Sequence, residues 1–276
     1  VTTLYLVATP IGNLEDITAR ALRVLSEVHL IAAEDTRQTG KLLKHYDIQT
    51  QPTSYHEHNK DRELPTILKA LETGDVALVS DAGTPALNDP GYELVRAALE
   101  AGHQVSPIPG PSAPVAALVA SGLPTDKFLY LGYIPRKSSA RRRAFSQVAS
   151  LPYTLIFLET PHRLLEALED MQESLGDRQV AVARELTKLH EEIYRGRLSD
   201  AGAHFSAQPA RGEITLVVAG ASPNSKRWGP ERVRIALKEA LSSGEAPSQI
   251  ARQLAAQSGW KRRDLYDLIK ELQGKQ

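Results

Sequence analysis

Three apolar runs of strand length each stop at a turn made of glycine, proline and a polar residue. That repeated pattern constrains the fold more than any other feature of the chain. Leu4-Tyr5-Leu6-Val7-Ala8 runs into Thr9-Pro10-Ile11-Gly12-Asn13. Val76-Ala77-Leu78-Val79-Ser80 runs into Asp81-Ala82-Gly83-Thr84-Pro85, and Val105-Ser106-Pro107-Ile108 into Pro109-Gly110-Pro111-Ser112-Ala113. Helical spacing fills the intervals. A helix is predicted from near Asp16, with Ile17, Ala21, Leu25 and Val28 on one face, and further helices over 39–46, 63–72, 92–101 and 112–121. A second strand spans 29–33, and the polar segment 54–59, with His56 and His58, reads as a loop. Strands alternating with helices of this length predict a mostly parallel sheet. Ligands of such sheets bind beyond the carboxyl ends of the strands, where glycine lets bare backbone approach and proline stiffens the turn. The three turns therefore predict one crevice floored by main chain.

The pattern changes after Gly122-Leu123-Pro124, a predicted linker. Strands are expected at 128–133, 154–159, 179–184, 191–198 and 213–218, with a helix across 162–175. Several of these strands follow one another without a helical crossover, so this sheet should be mixed or largely antiparallel. Ser222-Pro223-Asn224-Ser225 reads as a second linker, followed by three short helices over 230–241, 248–256 and 263–272. The last two, joined through Ser258-Gly259 and the basic Lys261-Arg262-Arg263, are similar to a helix-turn-helix. The expected organisation is an α/β chain in three parts: 1–121 with the parallel sheet, 122–222 with the mixed sheet, and a helical module at 223–276.

The absence of cysteine excludes disulfides and thiolate metal sites and fits a reducing cytosol; His56 and His58 have no third ligand at a familiar spacing, so no metal is expected. No apolar run reaches the roughly 18 residues of a membrane span, and no basic head with a long apolar stretch marks a signal peptide at this N-terminus. Net charge is zero, which argues against a protein that coats nucleic acid indiscriminately. The charge is unevenly spread, however. From Lys226 to Gln276 there are eleven Lys/Arg against six Asp/Glu. Arg136, Lys137, Arg141, Arg142 and Arg143 place five cations in eight positions. Basic appendages on a neutral body suit a polyanion held at localised contacts. The Arg-rich cluster beside the Ser138-Ser139 loop is expected to contact RNA phosphates, as are Lys261, Arg262 and Arg263, the plainer reading of the cluster being a solvated helix start. Tyr130 and Tyr133 could stack on a base, or simply fill a core.

The opening turn has one glycine where a dinucleotide fingerprint needs three, and no Gly-Lys-Ser/Thr loop occurs. A phosphate-free nucleoside with a small polar tail fits such turns better than a pyrophosphate. The segments Ala8 to Leu14, Ala33-Glu34-Asp35-Thr36-Arg37, Ser80 to Pro85 and Pro109 to Ala113 together resemble the tetrapyrrole-methylase-like superfamily. The likeness continues through Glu159-Thr160-Pro161-His162-Arg163 and Ala183 to Lys188, and ends at Arg211-Gly212-Glu213. It implies two α/β domains with S-adenosylmethionine folded into the cleft between them, in a homodimer. Within the superfamily the nearest pattern implies 2′-O-methylation of a decoding-centre cytidine in 16S rRNA, either naked or in the small ribosomal subunit. Carried over by position, the cofactor residues would be Pro10, Ile11, Asp81, Gly83, Thr84, Leu87, Ser112 and Ala113, with Leu158, Arg184 and Ile214 from the second domain.

Such a reaction needs the hydroxyl in line with the sulfur–methyl bond, a dry cleft with little compensating charge, and a proton acceptor or a stabilising cation. Glu34, Asp35, Asp81 and Asp89 are acceptors in place for this, and Arg37, Arg184 and Lys188 are cations. The plainer readings are a salt-bridged helix start for Asp35 to Arg37 and an ion pair for Arg184-Glu185. Two other functions compete: C-methylation of a tetrapyrrole, which would need neither basic appendage, and non-catalytic RNA binding in ribosome assembly, which would need no cofactor crevice.

Overall fold

The computed structural model describes residues 2–222, 230–242 and 245–273. Chain contacts group it into two units, one comprising residues up to Gln147 with Tyr153–Ala219, the other Val148–Pro152 with the chain from Gly220 onward.

The first unit carries two five-stranded sheets. The first sheet is built from β1 (Thr3–Val7), β2 (Leu30–Ala33), β3 (Pro52–Ser54), β4 (Val76–Val79) and β5 (Gln104–Ile108), in the order β3-β2-β4-β1-β5. Every pairing in it is parallel. The crossovers are α1 (Ala19–Glu27), α2 (Thr36–His45), α3 (Lys60–Thr73) and α4 (Tyr92–Glu100), and α5 (Ala113–Ala120) follows β5. Helices cover both faces. Val24, Leu25 and Leu42 pack with Val7, Ile31 and Val79 on one, and Ile67, Leu71 and Leu94 with Leu4 and Leu78 on the other. This double cover explains why β4 is apolar at every position.

The second sheet comprises β6 (Phe128–Tyr133), β7 (Thr154–Glu159), β8 (Gln179–Arg184), β9 (Glu192–Arg197) and β10 (Ile214–Val218). Its order is β6-β7-β10-β8-β9, with β6 and β7 parallel and the other pairs antiparallel. The last strand in sequence is thus the central one, and all five of its residues are buried. Three helices accompany this sheet: α6 (Ser138–Val148), α7 (Leu164–Leu175) and α8 (Leu198–Ala207). Ala117 and Leu118 of α5 pack on Ile156, Ala181 and Val217, together with Ile11 and Leu186, in one cluster that joins the first sheet's elements to the second.

Several expectations are corrected here. Asp16 ends a short 3-10 turn, Leu14–Asp16, instead of starting a helix. Thr18 caps α1, its hydroxyl accepting from Ala21 N at 3.1 Å, because Ile17 is extended. Helix α2 starts at Thr36, not 39, with Asp35 as its cap. Helices α6 and α8 and the short edge strand β3 are additional to the predicted elements; the Ser138-Ser139 pair read as a loop is the start of α6.

In the second unit, α9 (Pro230–Ser242), α10 (Pro247–Ser258) and α11 (Arg262–Gln273) bury Val233, Leu237, Ile250, Leu254, Leu265 and Ile269 against one another. Helix α10 ends at Gly259, which is left-handed at φ +67°. Pro223, Asn224 and Ser225 of the second predicted linker lie outside the described residues. Among the described residues no helix is long and apolar enough to cross a membrane.

Candidate active site

The three turns meet. Thr9 and Gly83 exchange both backbone hydrogen bonds, at 2.9 and 3.0 Å, as an isolated antiparallel bridge. Ala8 N donates to Ile108 O at 3.3 Å, and the Thr84 hydroxyl donates to Pro111 O at 3.2 Å. Thr9 Oγ1 adds a bond to Ser80 O at 3.2 Å. Gly83 makes this convergence possible. Its φ of +81° suits glycine, and a Cβ there would lie 3.3 Å from Ile11 Cγ2. Gly12 plays a similar part toward the second sheet: its bare Cα lies under the Leu186-Thr187-Lys188 turn, where a Cβ would overlap the Lys188 side chain.

Above these turns lies a cavity of about 330 Å³, lined from both sheets. Ile11, Asp81, Gly83, Thr84, Leu87, Ser112, Ala113, Leu158 and Ile214, all singled out from sequence, line it. Two residues of that set do not. Pro10 borders a neighbouring cavity of about 280 Å³ with Leu14, Gln38 and Lys41, sharing only Asp81 with the first. Arg184 points its Nε at Glu192 Oε2, 2.5 Å away, and His204 closes on the same carboxylate at 2.9 Å. Glu185 takes Lys188 at 2.8 Å, so the ion pairs expected of the Arg184-Glu185 segment form with Glu192 and Lys188.

The cavity is acidic. Glu34, Asp81, Asp89, Glu159 and Glu213 line it, and among the described residues none of its lining side chains is Lys, Arg or His. The expectation of little compensating charge is therefore corrected, because five carboxylates converge from four chain segments, Asp81 and Asp89 sharing the β4–α4 loop. Burial raises Glu34, which also accepts from Asp81 N at 3.3 Å. Burial likewise raises Asp81, which accepts from Asp35 N at 3.0 Å. Asp89 is pushed up to about 6, first by burial and then by the charge of Glu34, with Ser80 drawing it back down through a hydrogen bond. Glu159 is held by Arg163 Nε at 2.8 Å and by Thr160 N at 2.7 Å.

The remaining catalytic expectations are corrected. Asp35 and Arg37 close on each other at 2.7 Å at the start of α2; that hydrogen-bonded pair holds the Asp35 carboxyl down to about 2, too weak a base near neutrality. Lys188 lies outside the lining, its ammonium on Glu185 and 3.5 Å from Glu213. Glu159, Thr160, Tyr130, Tyr133 and Glu213 are wall residues that the site assignment from sequence missed. Four of them are strand-end residues of the second sheet, and the Glu159-Thr160 segment was a usable signal.

The basic cluster divides in two. Arg141 is buried, its side chain 3% exposed, with Nε 2.5 Å from Asp170 Oδ2 and Nη2 3.3 Å from Glu166. Arg142 bonds the other Asp170 oxygen at 2.7 Å and Glu173 at 2.9 Å. Arg141 thus belongs to the packing of α6 on α7 and is withdrawn as a phosphate contact, and Arg142 is committed to Asp170 and Glu173. Arg136, Lys137 and Arg143 are exposed, as are Lys261, Arg262 and Arg263.

Residues 3–202 match the family model described as Tetrapyrrole (Corrin/Porphyrin) Methylases. The chain is 48% identical over 273 residues to the ribosomal RNA small subunit methyltransferase I of Synechocystis sp., covering 98% of both chains. It is 47% identical to the protein so named from Escherichia coli O157:H7, covering 98% of this chain and 96% of that one. Among solved structures, uroporphyrin-III-C-methyltransferase from Thermus thermophilus superposes with a TM-score of 0.55 at 23% identity, covering 79% of this chain and 94% of the other. That likeness concerns the fold. Together with a cavity walled by strand-end turns of both sheets, these matches establish that the chain belongs to the tetrapyrrole (corrin/porphyrin) methylase family, in its ribosomal RNA small subunit methyltransferase I branch.

Proposed function

We propose that this protein methylates the ribose 2′-oxygen of a cytidine in the decoding centre of 16S rRNA, with S-adenosylmethionine as methyl donor, and that it does so as a cytoplasmic homodimer. The carrying observation is the cavity itself: closed by three backbone turns, lined by five carboxylates and, among the described residues, by no cation. It rejects phosphates by charge and accepts a nucleoside bearing positive charge. The name shared by the near-full-length relatives supports ribosomal RNA as substrate.

The residues present fit that donor. The peptide groups of the three turns and the apolar Ile11, Leu87, Leu158 and Ile214 suit an adenosine, and the carboxylates suit its cationic tail. When bound, the donor supplies an electrophilic methyl group. The protein's part is to orient the ribose hydroxyl and take its proton. Glu34, Asp81 and Asp89 are the acceptors in this reading, because burial raises all three and brings Asp89 to about 6. Exposed Arg136, Lys137, Arg143, Lys261, Arg262 and Arg263 are the proposed phosphate contacts. The three-part division at 1–121, 122–222 and 223–276 belongs to the same reading, with the last part as an RNA-binding module.

The deciding experiment is methyl transfer to small ribosomal subunits from cells lacking this protein, compared with naked 16S rRNA, with the product nucleoside identified by mass spectrometry. A 2′-O-methylcytidine is expected. A base-methylated nucleoside, or no transfer to either substrate, would overturn the assignment.

A further inference from the structure

The five carboxylates are not equivalent. Glu159 is tied to Arg163 and Thr160, yet its Oε2 is buried without a hydrogen-bond partner, as is the Tyr130 hydroxyl on the same wall. Glu213 lies within 3.5 Å of the Lys188 ammonium. Glu34 and Asp81 each accept a backbone N–H. Among the described residues Asp89 has no ion-pair partner, and it is recessed in the cavity lining.

We propose that Asp89 is a specificity-determining residue that lets the cavity hold a sulfonium nucleoside in preference to the thioether left after transfer. The inference rests on the reading of S-adenosylmethionine as the donor. In the transfer the sulfur–methyl bond breaks with its electron pair going to sulfur, the oxygen–methyl bond forms, and the hydroxyl proton passes to a cavity carboxylate. The guest thereby loses one positive charge while its ammonium and carboxylate stay as they were. A cavity of about 330 Å³ keeps any guest within a few ångströms of its carboxylates. In such partly buried surroundings one charge more or less on the guest is worth far more than in water. The same loss of attraction that follows transfer would speed exchange of product for fresh donor.

The preference should respond to pH. Facing Asp89 are Glu34 from the end of β2, Asp81 from the end of β4, Glu213 before β10, and Tyr130 and Tyr133 from β6, with Glu159 facing Tyr133 from β7. Burial first, then the charges of Glu34, Asp81 and Glu213, set its titration at about 6, while a hydrogen bond from Ser80 opposes them. Both tyrosines are pushed upward and stay protonated, Tyr130 to about 12. Above pH 6 the Asp89 charge is present, and below it is lost.

Isothermal calorimetry with S-adenosylmethionine and S-adenosylhomocysteine tests this on the full chain, at pH 7.0 and 5.0. Both values lie below the titration of an α-amino group, at roughly 7.7–8.0. The wild-type preference for the sulfonium should fall about fivefold or more between pH 7.0 and 5.0. Asp89→Asn should show the reduced preference at both values, and Asp89→Glu should restore it at pH 7.0. Should Asp89→Asn misfold, Asp89→Ala is read in the same way. A preference unmoved by pH and by Asp89→Asn would overturn the proposal and leave the donor assignment standing. Binding of neither nucleoside to the wild-type protein would overturn the donor assignment, and the proposal with it.

Discussion

Removing the Arg141 side chain should unfold the protein far more readily than removing either exposed neighbour in the cluster. Asp170 on α7 is 5% exposed and accepts from Arg141 Nε at 2.5 Å, Arg142 Nε at 2.7 Å and Ser138 Oγ at 3.1 Å. Breaking a buried ion pair by deleting one partner costs about 3–5 kcal/mol, because the other charge stays behind in a poor solvent. Here Arg142 and Ser138 remain on Asp170, which places Arg141→Ala near the lower end, about 3 kcal/mol. Arg143→Ala, on the exposed side of α6, should stay within about 0.5 kcal/mol of wild type. Urea unfolding followed by circular dichroism reads both. Burial pushes the Asp170 carboxyl up, but hydrogen bonds from Arg141, Arg142 and Ser138 outweigh it and hold the group below its ordinary value of 3.8. The stabilisation is therefore present above pH 4 and fades as acid protonates Asp170. The gap between wild type and Arg141→Ala should close over the same interval. A loss below about 1 kcal/mol at pH 7, or equal losses for Arg141→Ala and Arg143→Ala, would refute the division of the cluster.

Three further outcomes are expected. Gly83→Val should abolish S-adenosylmethionine binding in calorimetry, since a branched side chain would meet Ile11 and take a backbone conformation with φ near +81° that it resists; wild-type affinity would contradict the pocket assignment. Charge reversal of Arg136, Lys137 and Arg143 together should flatten the salt dependence of RNA binding and leave donor affinity and urea stability near wild type, and an unchanged salt slope would dismiss them as phosphate contacts. Asp89→Asn should be more stable than wild type at pH 8 and equal to it near pH 4. The raised folded value means that wild-type stability is full below the ordinary 3.8 and is lost as pH rises through about 6. Two units at about 1.36 kcal/mol each set a ceiling near 3 kcal/mol, and partial exposure of the group reduces the expected gain to about 1–2 kcal/mol. No gain at pH 8 in chemical denaturation would contradict the charged state assigned to Asp89.

Local chemistry explains why some elements could be read in advance. The strands at 128–133, 154–159 and 179–184 were legible to the residue because each is a run of apolar, largely β-branched or aromatic residues bounded by a break. The helix at 138–148 was obscured by its own composition. Ser138-Ser139 reads as a loop and the Arg run as a solvated helix start, and only Asp170, 29 residues beyond Arg141, gives the charges a partly buried role. Such a long-range partner leaves no periodic trace in sequence. The cavity followed the same rule. Its floor could be read from three glycine- and proline-bearing turns, whereas its acidic wall depends on how the ends of β2, β4, β7 and β10 are brought together, which strand order decides. Arg184 shows the opposite error. An ion pair is expected of the Arg184-Glu185 segment with a distant part of the chain, but the antiparallel pairing of β8 with β9 sets Glu192 of the neighbouring strand directly across from Arg184.

The central place of β10 bears on how the molecule is made. Until Ile214–Val218 has been synthesised, β7 and β8 have no hydrogen-bonding neighbour between them, and the fragments β6-β7 and β8-β9 expose open edges. The wall formed by Gly212 to Thr215 arrives with the same few residues. A chain that stops short of this point lacks both the strand that joins β7 to β8 and that part of the cavity wall, so one short segment completes the sheet and the chamber together.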